Sequence, residues 1–98
     1  MARVELAAEV AEDFDRILAF LAQHDAAAAA ARVMEIVQAV EVLAHNPLIG
    51  RPISNGKREL VIGRRSHGYV ALYQYVEAID TAFVLAVRSQ REAGYIRN

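Results

Sequence analysis

The chain has 98 residues, 55% of them hydrophobic, and a formal net charge of −1 at pH 7. That content excludes a disordered chain, and the length predicts one domain, residues 1–98, around a single core. Cysteine is absent, which excludes disulfides and thiolate metal sites.

No apolar run reaches membrane-spanning length, and the first residues, MARVELAAEVAEDF, carry acids where a secretory signal needs an apolar stretch. The expectation is a cytoplasmic protein without membrane contact. The charge is uneven along the chain. Residues 1–50 hold three Arg against eight Asp and Glu, a balance of −5; residues 51–98 hold seven Arg and one Lys against four acids, a balance of +4. A protein that binds nucleic acid mainly through phosphates is usually basic overall, so this division suits a protein partner at least as well.

Arg3-Val4-Glu5-Leu6 alternates and predicts a short first strand. From Ala7 the pattern becomes Val10, Phe14, Ile17, Leu18 and Leu21, one face of an amphipathic helix, with Glu9, Glu12, Asp13 and Arg16 off it. This helix should stop near Gln23-His24, with Asp25 as the N-cap of a second helix. Six alanines, 26–31, open that second helix, and Val33, Ile36, Val37, Val40, Leu43 and Ala44 continue its apolar stripe. Asn46-Pro47 ends it, because the residue before proline leaves helical geometry. So short a link predicts an antiparallel helical hairpin.

Leu48 to Lys57, just after Pro47, holds Pro52, two glycines, Ser54 and Asn55 and reads as a loop. Three strands are predicted after it, near Glu59–Ile62, Tyr69–Glu77 and Ala82–Arg88. The middle one alternates Tyr69, Ala71, Tyr73 and Tyr75 on one face with Val70, Leu72, Gln74 and Val76 on the other. Residues 78–81 should turn it tightly into the last, with Asp80 as the turn former. The order is β-α-α-β-β-β, an α+β domain with a helical hairpin packed on a mainly antiparallel sheet.

The residues that carry chemistry are few. His24, His45 and His67 lack metal-ligand spacing, and no HExxH or GxSxG motif is present, so no metal and no cofactor is expected. Glu9, Glu12, Asp13 and Asp15 read as a solvated acidic surface near a helix start. The basic set is more informative: Arg51, Lys57, Arg58, Arg64, Arg65, Arg88, Arg91 and Arg97, interleaved with Tyr69, Tyr73, Tyr75 and Tyr95. Arginine with tyrosine makes phosphate-clamping, base-stacking surfaces, and the same pair dominates protein interfaces. Alternation assigns Tyr69 and Tyr73 to the helix-facing side of the sheet instead.

Taken in order, several pieces resemble the RelE/ParE superfamily of bacterial type II toxins. They are Leu43-Ala44-His45-Asn46-Pro47, Ile49-Gly50-Arg51-Pro52, Arg58-Glu59-Leu60, Gly68-Tyr69-Val70-Ala71-Leu72-Tyr73, and Val84-Leu85-Ala86-Val87-Arg88 with Gln90-Arg91. The resemblance covers nearly the whole chain and implies a toxin neutralised by a cognate antitoxin in a hetero-oligomer. RelE-like members resemble ribosome-dependent mRNA endoribonucleases that use arginines, lysines and often a C-terminal tyrosine. ParE-like members share the fold, lack that constellation and poison DNA gyrase.

In the nucleolytic branch an arginine follows the first tyrosine of the middle strand and contacts the scissile phosphate. Here that position is Val70. The preceding strand is basic only at Lys57 and Arg58, and Ser89 stands where many relatives carry histidine. The resemblance therefore implies a ParE-like growth inhibitor acting on DNA gyrase and not an enzyme. Arg51, Arg64, Arg65, Arg88, Arg91 and Tyr95 are expected to bind partners, and an apolar groove beside the hairpin and the sheet edge should take the antitoxin. The charged run Arg64-Arg65-Ser66-His67 is read as a turn. The alternatives are a RelE-like nuclease, acting on the ribosome and mRNA through Arg58, Arg64, Arg65, Arg88, Arg91 and Tyr95, or an inactive toxin fold kept for antitoxin binding and operon regulation.

Overall fold

The computed structural model describes residues 1–63, 68–92, 94 and 95. Arg64, Arg65, Ser66, His67 and Arg97 therefore lie outside the described residues. The elements run β1 (Arg3–Leu6), α1 (Val10–His24), α2 (Ala29–Val40), β2 (Arg51–Pro52), β3 (Arg58–Ile62), β4 (Tyr69–Val76) and β5 (Thr81–Ser89). They build a five-stranded sheet in the order β1-β5-β4-β3-β2. Every neighbouring pair is antiparallel except β1 with β5, which is parallel.

The predicted α+β architecture of two helices on a mainly antiparallel sheet is what forms, with β2 added inside the segment read as a loop. The second helix does not run to Asn46: α2 ends at Val40 and a 3₁₀ turn, Glu41–Ala44, follows it. Two further expectations are corrected. Asp25 makes no side-chain capping bond; a 3₁₀ turn, Ala26–Ala28, intervenes before α2. The alanines adopt this tighter turn at no steric cost, and the backbone N–H of Asp25 closes α1 on the carbonyl of Leu21. The second correction concerns Asp13, which is 1% exposed and not on a solvated acidic surface.

The core lies between the helices and one face of the sheet. Val10 and Ile17 of α1, Ile36 and Val40 of α2, and Leu43 beyond it pack on Ile62, Tyr69, Ala71, Tyr73, Ala82, Val84 and Val87. Phe14, Leu21 and Val33 pack against this cluster from the predicted stripes, whereas Leu18 and Val37 are only half-buried.

A bulge sets which side chains of β5 join the core. Leu72 pairs with Ala86 but Tyr73 pairs with Val84, so Leu85 is an extra residue on β5. Strand alternation has a period of two, so one inserted residue lets Val84 and Val87 share a face. The same insertion turns Arg88 to the opposite face, beside Val70. Asp80 adopts the left-handed conformation at φ 46°, as a tight turn before β5 requires.

Candidate functional site

The sheet face away from the helices carries a polar cluster built on three strands. Glu59 of β3 is 9% exposed. Its Oε1 accepts bonds from Nε and Nη2 of Arg51 at 3.1 and 2.8 Å, across the β2–β3 pair. Its Oε2 accepts a 2.7 Å bond from the hydroxyl of Tyr95. The Tyr95 ring lies under the Arg88 guanidinium, 5.1 Å from centroid to Cζ, within cation–π range. Because Tyr95 touches β3 through Glu59 and β5 through Arg88, it bridges β4 above Val70 and Leu72.

Arg51 and Glu59 neutralise each other in this cluster, whereas the buried Nε of Arg88 has no hydrogen-bond partner among the described residues. Burial opposes ionisation of Glu59, but hydrogen bonds from Tyr95 and Arg51, with the charges of Arg51 and Arg88, more than offset it. Its pKa falls below the ordinary carboxylate value. Burial first, then the bond to Glu59 and its charge, push the Tyr95 phenol well above the usual tyrosine range. Tyr95 is therefore held as a proton donor to a fixed carboxylate. Arg88 is further held by its Nη1, which donates to the carbonyls of Ser89 and Glu92 at 3.2 and 3.1 Å.

The segment after β5 is also tied to α1. Nε of Arg16 donates to Glu92 Oε1 at 2.9 Å, and its Nη1 donates to Asp13 Oδ1 at 2.9 Å. The other oxygen of Asp13 accepts the backbone N–H of Val87 at 3.0 Å, and Glu92 Oε2 accepts that of Ser89 at 2.7 Å. Burial disfavours the Arg16 charge, but Asp13 and Glu92 outweigh it and raise its pKa. Asp13 is buried because it serves a β5 amide and an arginine together, a demand that helical periodicity does not reveal.

On the helix side of this segment lies a cleft of about 540 Å³. Ile17, Phe20 and Leu21 of α1 and Tyr69 of β4 form its apolar wall, and Arg16, Arg32 and Arg91 contribute cations. The His24 ring stacks on Phe20 at 4.2 Å. This is the groove expected beside the hairpin. It sits at the end of the sheet where β4 begins and β5 finishes, not along the open edge of an outer strand.

The basic residues singled out in the sequence thus divide. Arg51, Arg88 and Tyr95 converge on Glu59, whereas Arg91 lines the cleft with Arg16 and Arg32. Arg58 serves the backbone instead, its Nη1 donating to the carbonyls of Leu48 and Gly50 at 3.0 and 2.8 Å. Tyr69 and Tyr73 are core residues, as alternation predicts. Glu59 escaped the sequence reading, although it is the one acid between Pro47 and Val76. No group of three His, Asp or Glu side chains suited to a metal forms among the described residues, nor is any described helix long and apolar enough to cross a membrane.

A model of the ParE toxin of the type II toxin–antitoxin system parDE matches residues 4–94. The chain belongs to this family. As a ParE-family toxin it shares its fold with a chain from the chromosomal ParDE system of P. aeruginosa, at a TM-score of 0.77 and 22% identity over 91% of this chain and 96% of that one. The intact RelBE toxin–antitoxin complex of E. coli contributes a chain at TM-score 0.61 and 12% identity, covering 94% of this chain and all of that one. The isolated E. coli RelE toxin gives TM-score 0.61 and 11% identity over 95% of this chain and 88% of its own. No curated protein matches by sequence. The ParE toxin fold therefore presents two distinct surfaces here, a clasped polar cluster on the outer face and an apolar, cation-rimmed cleft on the helix side.

Proposed function

We propose that this ParE-family toxin arrests growth by acting on DNA gyrase without catalysing a reaction, and that a cognate antitoxin neutralises it. The observation that carries this reading is Val70, 2% exposed and paired with Arg88 on the outer face of the sheet. In-line scission of RNA requires fixed donors for the pentavalent phosphate, and loss of one costs roughly 10²–10³ in rate. An isopropyl group supplies none. The neighbouring Glu59 carboxylate, held ionised, repels an approaching phosphate, and Arg88 is already engaged by two carbonyls and the Tyr95 ring.

For the antitoxin, the cleft supports an amphipathic segment whose apolar side chains enter between α1 and Tyr69. Arg16, Arg32 and Arg91 outnumber Asp25 and Glu92 in its lining, which favours acidic residues on that segment. Purified toxin added to gyrase and relaxed plasmid is expected to block supercoiling or accumulate cleaved plasmid. Unimpaired supercoiling at a large excess of folded toxin counts against the reading.

The contact between Arg88 and Tyr95 supports a second reading, a ribosome-dependent mRNA endoribonuclease that uses Arg88 and Tyr95 from its expected set. It requires transcript cuts that disappear in Arg88→Ala.

A further inference from the structure

β2 is only two residues long and pairs with β3 at Arg51↔Glu59 and Pro52↔Arg58. Among the described residues no strand covers Leu60, Val61 and Ile62 on that side, so the sheet edge is open along them. Val61 lies on the outer face of this edge strand at 49% exposure, and the loop before β2 presents Leu48 and Ile49, each at 56%. Ile53, past the other end of β2, is also exposed.

These apolar side chains stand on a rigid platform. The Tyr73 hydroxyl accepts the Gly50 N–H and donates to the Pro47 carbonyl, both at 2.8 Å. Arg58 clamps the carbonyls of Leu48 and Gly50 from the strand beneath. A Cβ on Gly50 would lie 2.6 Å from the Tyr73 ring and 2.8 Å from the Glu59 carbonyl, so only glycine allows the approach. The buried hydroxyl and the guanidinium thus fix a loop whose aliphatic side chains remain in solvent. Aliphatic anchors held in place on a scaffold are what a protein interface needs, since little entropy is lost on docking.

Charge narrows the occupant. Residues 47–62 contain Arg51, Lys57 and Arg58 against a single acid, Glu59; Arg51 and Glu59 pair with each other, so the excess charge of the segment is that of Lys57 and Arg58. A second copy of this chain would set the same positive excess against this one, which disfavours self-pairing. A nucleic acid strand would seek aromatic faces, and Tyr69 and Tyr73 are buried. We propose that the β2–β3 edge, with the loop at Leu48 and Ile49, docks an extended acidic segment of the protein on which the toxin acts, by strand addition. This rests on the reading of the chain as a toxin whose antitoxin occupies the cleft. The two surfaces differ: the cleft opens where Tyr69 begins β4, and the loop is fixed at Tyr73, four residues along.

The test is growth arrest on induction in cells that carry no antitoxin, where only the target contact is read. The variants are Leu48→Asp with Ile49→Asp, and separately Val61→Glu, each confirmed as folded by its melting curve. The double variant is expected to abolish arrest, and Val61→Glu to weaken it. In a purified gyrase assay the half-inhibitory concentration should rise by roughly tenfold or more. Undiminished arrest by both folded variants overturns the inference, as it would if the edge served only the antitoxin. A wild-type chain that fails to arrest growth overturns the toxin reading and the inference together. Arrest by the wild type without gyrase inhibition, lost in both variants, supports the edge and rejects gyrase alone.

Discussion

The two faces of the sheet are built on different physics. The helix-facing side is held by area and shape: Tyr69, Ala71, Tyr73, Val84 and Val87 meet an apolar stripe from each helix. The opposite side buries Val70, Leu72 and Ala86 beneath a chain of paired charges running from Arg51 through Glu59 and Tyr95 to Arg88. Removing apolar atoms costs transfer and cavity energy wherever the core cannot collapse, whereas a screened polar clasp contributes little net stability and fixes geometry. The inner face therefore makes the fold, and the outer face determines what chemistry the fold can perform.

Substitutions should reproduce that contrast. Ile36→Ala, at a fully buried helix position facing the sheet, is expected to cost about 3–4 kcal/mol in urea denaturation. Asp13→Ala strips a partner from Arg16 and the acceptor from the Val87 amide. Its cost should be about 2–3 kcal/mol, at the lower end for a broken buried pair because Arg16 is partly exposed. Tyr73→Phe leaves the buried Gly50 N–H without its acceptor, for about 1–2 kcal/mol by the same measurement.

On the outer face the expected changes are smaller and depend on pH. The folded-state pKa of Glu59 is depressed, so its contribution is present above the unfolded carboxylate pKa and is lost as pH falls through the folded value. Glu59→Gln should therefore be less stable than wild type at neutral pH, with the gap closing under acid. A gap that widens on acidification would reverse the assignment. In an ultraviolet titration Tyr95, like Tyr69 and Tyr75, should ionise above the ordinary tyrosine range, and Tyr95→Phe should remove one of those late steps.

Much of the inner face was legible because periodicity reports burial directly. The stripe at Val10, Phe14, Ile17 and Leu21 and the alternation from Tyr69 to Tyr73 recur in the structure, whereas α2 gives way to a 3₁₀ turn, Glu41–Ala44, before the stop predicted at Pro47. The outer face was less legible because its partners come from distant segments. Nothing local marks Glu59 as the acceptor for a tyrosine 36 positions later. β2 is two residues with a proline, too short to alternate, and the bulge at Leu85 hides in an apolar run where an inserted residue leaves no signature. Asp13 read as solvated because helix spacing carries no information about a strand amide that needs an acceptor. The lone acid at Glu59, on the opposite strand face from Leu60, was the one available hint.

Primer extension along a message translated in the presence of purified toxin tests directly whether the clasped outer face, with Val70 in place of a cation, leaves the protein without nuclease activity. Full-length product at every toxin concentration is the predicted result. Cuts within translated codons, abolished by Arg88→Ala, would contradict it.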